Sequence, residues 1–230
     1  MKVRLVAETK FYSFAAENAT DHVWHHSADD EEPDQLAEFA GRACYQSWSK
    51  PNSATAANQD YLRHIIDSEH FSVLEHASAT FYVTGVSRSL THELVRHRHL
   101  SFSQLSQRFV NEGAAEMVIP PLMRSTGEPN NIDDAEIPGE VAEFALSRYR
   151  QLVEHIVTNY DVSRKQAREA ARCVLPNMTE TRIVVTGNHR AWREFITKRN
   201  TPSADAEIRL LAQEILRQLK GLAPSTYQDM

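Results

Sequence analysis

Twice in this chain a run of β-forming residues passes directly into an amphipathic helix, and this pattern constrains the fold more than any other feature. Ala77 to Thr84, with Thr80, Phe81, Tyr82 and Val83, reads as a buried strand. A helix is expected from Ser87 to about Arg98, because Val86, Leu90 and Leu94 recur at i, i+4, i+8. Thr181 to Thr186 (Arg182, Ile183, Val184, Val185) is the second strand, and it leads through Gly187-Asn188 into a helix ending at Arg199. Met1 to Ala7 alternates Val3 and Leu5 against Lys2 and Arg4, as an edge strand does. The expected class is α/β, a sheet flanked by helices. No G-x-G-x-x-G is present, so the fold is not a Rossmann domain.

The remaining elements follow from period and punctuation. Residues 17–35 are polar and acid-rich and read as a loop before a helix starting near Pro33, with Leu36, Phe39, Ala40 and Ala43 as its core stripe. A helix from Thr55 to Asp67 would bury Tyr61, Leu62, Ile65 and Ile66. Residues 111–140 are broken by Pro120, Pro121, Gly127, Pro129, Asn130, Asn131, Pro138 and Gly139, and read as a mobile insertion within one domain spanning 1–230. Helices are expected from Glu140 to Tyr160, from the N-cap Ser163 to before Pro176, and from Ala204 to Leu219.

Composition narrows the function classes. The 230 residues are 41% hydrophobic and 24% charged, with a formal net charge of −6, an ordinary globular balance. No apolar run approaches a membrane span and the first residues show no signal-peptide core. Cys44 and Cys173 make neither a disulfide framework nor a zinc set. A cytoplasmic protein with no membrane and no nucleic-acid partner is expected.

Against that acidic background, the stretch Arg96-His97-Arg98-His99-Leu100-Ser101-Phe102-Ser103-Gln104-Leu105-Ser106-Gln107-Arg108 holds three arginines and no acid. Nucleic-acid binders spread positive charge over a broad face. Here it is concentrated, and arginine forks suit bidentate recognition of phosphate and carbonyl groups, which points to a small phosphorylated ligand. His97 falls on the apolar face of its helix, as a satisfied core histidine or a ligand contact. The serine-rich part beyond Arg98 reads as a loop passing over a ligand. Arg199 extends the stripe of Trp192, Phe195 and Ile196, so it snorkels at the helix end, pairs, or reaches a ligand. Arg164, Arg168 and Arg172 form an i, i+4, i+8 row with Asp161 and Glu169 nearby; Arg172, beside the break at Pro176, is the candidate exception to a solvated face.

Arg96-His97-Arg98, then seven residues, then Ser106, with Gln107-Arg108 continuing, resembles the signature of the flavin-dependent thymidylate synthases. His70-Phe71-Ser72-Val73-Leu74-Glu75-His76, Ala171-Arg172-Cys173-Val174-Leu175-Pro176 and Thr186-Gly187-Asn188-His189-Arg190 resemble further family segments in the same order, over roughly residues 33–222. The resemblance implies a mainly antiparallel central sheet, a homotetramer with shared active sites, and reductive methylation of dUMP to dTMP. FAD would be reduced by NADPH, and methylenetetrahydrofolate would supply the carbon. By position, Ser72, Arg96, His97, Arg98, Gln104, Asn188, His189, Arg190 and Glu194 would contact FAD. The dUMP site would draw on Glu93, Arg96, Gln104, Leu105, Ser106, Gln107, Arg108, Arg172 and Arg199, with His70 on the folate side. Arg199 is the catalytic candidate. Two positions depart from relatives: Gln104 replaces a glutamate found in some, and Glu194 stands where Asn or His is usual and cannot donate an amide-like bond. No metal is implied.

Three rival readings are weaker on the same residues. A cysteine-dependent thymidylate synthase needs a nucleophile beside a base, and the sequence around Cys173 lacks that context. His22, His25 and His26, or His92, His97 and His99, lack the H-E-x-x-H spacing of a metal hydrolase. An RNA-binding module would stack bases on Phe102 and Phe109, against the net negative charge.

Overall fold

The computed structural model describes residues 1–26, 30–123 and 132–230. Its centre is a four-stranded sheet of β1 (Lys2–Glu8), β2 (Ser78–Ser87), β3 (Ser101–Gln104) and β4 (Glu180–Asn188), in the order β1-β2-β4-β3 with every neighbour antiparallel. Around it lie α1 (Ser13–Thr20), α2 (Glu32–Tyr45), α3 (Asn58–Asp67), α4 (Arg88–Leu94), α5 (Ile132–Asn159), α6 (Arg164–Ala171), α7 (His189–Arg199) and α8 (Ala206–Leu222).

Alternation along the two middle strands decides which face is covered. Ala79, Phe81 and Val83 of β2 and Ile183 and Val185 of β4 point to one side and are almost fully buried. Onto them pack Trp192, Phe195 and Ile196 of α7 and Ile208, Leu211, Ile215 and Leu219 of α8. Burial of each such side chain contributes about 1.5–3 kcal/mol. The opposite face carries Thr80, Tyr82 and Thr186, with the two threonine hydroxyls 2.9 Å apart across the strands. β1 is the edge strand expected from the N-terminal alternation, although Leu5 and Val6 remain exposed.

Local chemistry sets the boundaries. The Ser87 hydroxyl accepts from the Leu90 N–H and starts α4. Ser163 and Gln166 form a capping box at α6, as the sequence led one to expect of Ser163. At Gly85 the backbone is left-handed (φ 67°), and an added Cβ would lie 3.1 Å from the Met1 nitrogen.

Four expectations are corrected. The serine-rich stretch after Arg98 is not wholly a loop: Ser101–Gln104 pairs with β4 from Thr186 to Ile183, with Phe102 turned inward against the core. α1 occupies part of the acid-rich stretch. α5 begins at Ile132 rather than at Glu140, and the beginning of the supposed insertion is tied down, Val118 N–H to the Met178 carbonyl at 2.8 Å and Glu180 N–H to the Glu116 carbonyl at 2.9 Å. Gly127, Pro129, Asn130 and Asn131 lie outside the described residues.

The fourth concerns α2, whose buried face is not the stripe of Leu36, Phe39, Ala40 and Ala43. It is Asp34, Ala37, Glu38, Gly41 and Arg42. Arg42 donates from Nε to Glu38 at 2.6 Å and from Nη2 to the Thr55 carbonyl at 2.7 Å, and lies over the Tyr61 ring. Glu38 also accepts from Asn58 Nδ2 at 3.0 Å and pairs with Lys50 at 3.0 Å. Asp34 accepts from the Ser225 and Thr226 N–H groups and from the Thr226 hydroxyl, which ties the segment after α8 to α2. Gly41 is required by close approach, since a Cβ there would meet the Tyr61 hydroxyl at 2.2 Å.

Candidate active site

α7 is the main platform. Its N-cap Asn188 accepts from the Ala191 N–H at 2.8 Å. Trp192, Phe195 and Ile196 anchor one face in the core, which turns Arg190, Glu194, Thr197 and Lys198 outward. Facing them is the turn after α4, carrying Arg96, His97, Arg98 and His99. Between the two run adjoining hollows of about 550, 290 and 260 Å³, all three lined by His99 and Glu194. Arg190 reaches Glu75 at 2.5 Å, and on its other side a hollow of about 350 Å³ is lined by His70, Phe71, Ser72 and Cys44. Glu194 pairs with Lys198, which holds its carboxyl below the ordinary range. Arg96 and Arg98 are exposed and pair with no acid among the described residues.

At the end of α7, Arg199 is neither snorkelling nor idle. Its Nη1 donates to Glu93 Oε2 at 2.5 Å and its Nε donates to His97 Nε2 at 3.0 Å, while Nη2 lies 3.5 Å from the Glu93 carbonyl. His97 packs edge-on to Phe195, centroids 5.1 Å apart. His97 thus sits on the core edge, as the first of its two readings has it, and touches the catalytic candidate.

The other candidates gather beyond β3. Gln104 Nε2 donates to the Thr91 and Thr181 hydroxyls at 3.1 and 3.2 Å. The Leu105 N–H donates to the Arg182 carbonyl, and the Ser106 carbonyl accepts from Phe109 and Val110, so residues 105–110 form a tight turn. Gln107 is buried, Arg108 pairs with Glu169 at 2.8 Å, and Arg172 stands exposed where α6 ends. In the Arg164 row, Arg164 pairs with Glu154 and Arg168 donates to the Phe109 carbonyl at 2.7 Å.

The chain thus brings the candidates together in two groups rather than one. Glu93, Arg96, His97, Arg98, Asn188, Arg190, Glu194 and Arg199 lie at one end of α4 and β3, and Gln104 to Arg108 and Arg172 at the other. Either element spans about 10 Å. His70 and Ser72 sit beside the first group. His189 is not in the hollows: its ring is 1% exposed, with Nδ1 2.9 Å from the Tyr227 hydroxyl, so only its backbone is available to a ligand.

The sequence reading missed two residues at the second group. Arg88, at the start of α4, lies near Glu112 and Arg172, and burial lowers its basicity. Glu112 is 3% exposed, its Oε1 has no hydrogen-bond partner, and burial raises its carboxyl above the ordinary range despite Arg88. The i, i+4, i+8 row of Arg88, His92 and Arg96 was a legible signal for the first. Glu112 sits among chain-breaking residues and gave none.

Burial holds His189 neutral, with a pKa of about 4 against an ordinary 6.5. The unfolded chain takes up that proton near pH 6.5 and the folded one only near 4. The stability contribution is therefore complete above 6.5 and is lost as the pH falls through the window. Asp34 opposes it: burial raises its carboxyl from 3.8 to about 6, so its contribution falls as the pH rises through 3.8–6. His189→Phe should shift the change in unfolding stability between pH 6.5 and 5 by about 2 kcal/mol in favour of pH 5, leaving the opposite Asp34 contribution uncompensated. Urea midpoints at the two pH values test this, and an unchanged difference would refute it.

A family model described as "Thymidylate synthase complementing protein" matches residues 25–225. The chain is 52% identical over 235 residues to the flavin-dependent thymidylate synthase of Mycobacterium tuberculosis H37Rv, covering 100% of this chain and 89% of that protein. Proteins of the same name from Mycobacteroides abscessus and Mycobacterium marinum are 52% and 51% identical with the same coverage.

Proposed function

The chain belongs to the flavin-dependent thymidylate synthase family, and from that premise we propose that it converts dUMP to dTMP by reductive methylation, with methylenetetrahydrofolate as carbon donor and NADPH as reductant. The observation that carries this reading is an arginine fixed by two acceptors, Arg199 held by Glu93 and His97, in a chain that also presents Arg108 and Arg172 beyond β3.

The residues along α7 fit FAD. Arg96, Arg98 and Arg190 supply forks for a pyrophosphate, and Phe71 gives an apolar wall. FAD, when bound, would supply the hydride that completes the methyl group. The chain's own residues do the rest. Uracil C5 is a weak nucleophile, and Arg199 aimed at the N3/O4 edge stabilises charge that develops on the ring as C5 attacks the carbon, an effect of about 3 kcal/mol. Arg108, Arg172 and the turn at Ser106 hold the 5′-phosphate. Ser106 positions rather than attacks, since a serine needs a base in reach and none of the described histidines bonds to it. Cys44 and Cys173 are both free and exposed.

In this reading all 230 residues form one catalytic domain, with 111–140 inserted in it, and the enzyme is a cytoplasmic homotetramer acting on small molecules. The two separated groups support sites completed by a second subunit, as do the exposed Phe14, Tyr45, Phe109 and Phe144. No helix among the described residues is long and apolar enough to cross a membrane. The net charge of −6 disfavours the RNA-binding alternative.

The purified protein should show a flavin absorption spectrum and form dTMP. Arg96→Ala and Arg98→Ala should each weaken FAD binding by about tenfold or more, as expected for loss of a charge-assisted hydrogen bond. Undiminished FAD and dUMP binding in both variants would remove the main support for this site.

A further inference from the structure

His97 and Arg199 come from elements 102 residues apart, yet their side chains meet nitrogen to nitrogen at 3.0 Å. Arginine has donors only. The Arg199 Nε–H can therefore point at His97 Nε2 only if that nitrogen carries a lone pair, which puts the imidazole in its neutral form with the proton on Nδ1. A cation facing a histidine ordinarily repels its proton, and the surroundings favour the neutral ring. Burial, then Arg199 and Lys198, lower its pKa to about 4, with Glu194 opposing. Phe195 packs edge-on to the ring and limits its rotation.

Glu93 takes the other edge of the same guanidinium, through Nη1. Two acceptors on different edges of a planar group fix its plane, which neither does alone. Each terminal nitrogen has two N–H groups, so each keeps one beyond its contact with Glu93.

We propose that His97 is a positioning residue for Arg199: as a neutral acceptor at Nε2 it fixes, with Glu93, the plane in which Arg199 meets the pyrimidine ring of dUMP. This rests on the role proposed for Arg199. It also leaves Nδ1–H as the His97 atom available to a neighbouring ligand.

Two measurements test it. In the ligand-free protein, nitrogen NMR of labelled histidines, with His97 assigned from the His97→Gln variant, should show the Nδ1–H form, neutral down to about pH 5. That signature should be lost in Arg199→Lys. The second is a double-mutant cycle on dTMP formation at saturating dUMP and FAD. His97→Ala should reduce the rate about tenfold. His97→Gln, which places an acceptor near the Nε2 position, should recover most of it. In an Arg199→Lys background His97→Ala should cost almost nothing more, because the group it positions is already gone.

An Nε2–H tautomer or ordinary titration near 6.5 would overturn the contact itself. The NMR signature combined with multiplying rate effects, or with a glutamine variant as slow as alanine, would leave the contact standing and overturn the positioning role. Normal turnover by Arg199→Lys would instead defeat the catalytic assignment of Arg199, and the role of His97 with it.

Discussion

Arg199→Lys should slow dTMP formation about 100-fold at saturating dUMP, while NADPH still bleaches the bound flavin at close to the normal rate. Lysine keeps the charge and loses the fork. Its single nitrogen can reach Glu93 or the space near His97, but cannot hold both edges and still present donors to a ring. The partial reactions separate because charge develops on the pyrimidine only when its C5 attacks carbon. Pre-steady-state absorbance during NADPH addition, followed by mixing with dUMP and methylenetetrahydrofolate, reads each in turn. Normal turnover, or loss confined to the NADPH step, would show that Arg199 has another task.

A stability loss of about 3–5 kcal/mol is expected for Arg42→Met, away from the site. Arg42 and Glu38 are 2% and 0% exposed, and the arginine also closes the Thr55 and Ser47 carbonyls. Removing it strands a buried carboxylate with only Lys50 and Asn58 to compensate. Arg42→Met combined with Glu38→Leu should recover much of the loss, because an apolar pair needs no compensation. Urea unfolding of the two singles and the double supplies the cycle. A single-variant cost under about 1 kcal/mol would mean that water reaches the pair.

How much of this was legible depended on the kind of force involved. β2, β4 and α7 were readable because apolar burial leaves a period, as in Phe81 and Val83 or Trp192, Phe195 and Ile196. β3 was not, because two serines face outward and only Phe102 marks the covered side. α2 misled for a deeper reason. Its buried face is ionic, and the partners that make burial tolerable, Lys50, Asn58 and Thr226, lie in other segments. In the site, Arg199 was conspicuous as a cation on a core stripe, whereas its pairing with Glu93, 106 residues earlier, leaves no local trace. Arg88 stood in a legible row with His92 and Arg96, whereas Glu112, which meets it across the fold, left no local trace.

The bonds between Asp34 and the segment at Ser225 and Thr226 bear on how the molecule comes together in time. The partners lie 191 and 192 residues apart, and the core strands pair across about a hundred. Such contacts carry a large loop-closure cost and slow the search for the native arrangement. During synthesis α2 can form its helix early, yet the Asp34 carboxyl stays without its three donors until residue 226 has left the ribosome. The same segment sends Tyr227 to His189 and Asp229 to Arg193. The start of the helix that carries Arg199 is thus tied down by Tyr227 and Asp229, which are made 38 and 36 residues after their partners in it.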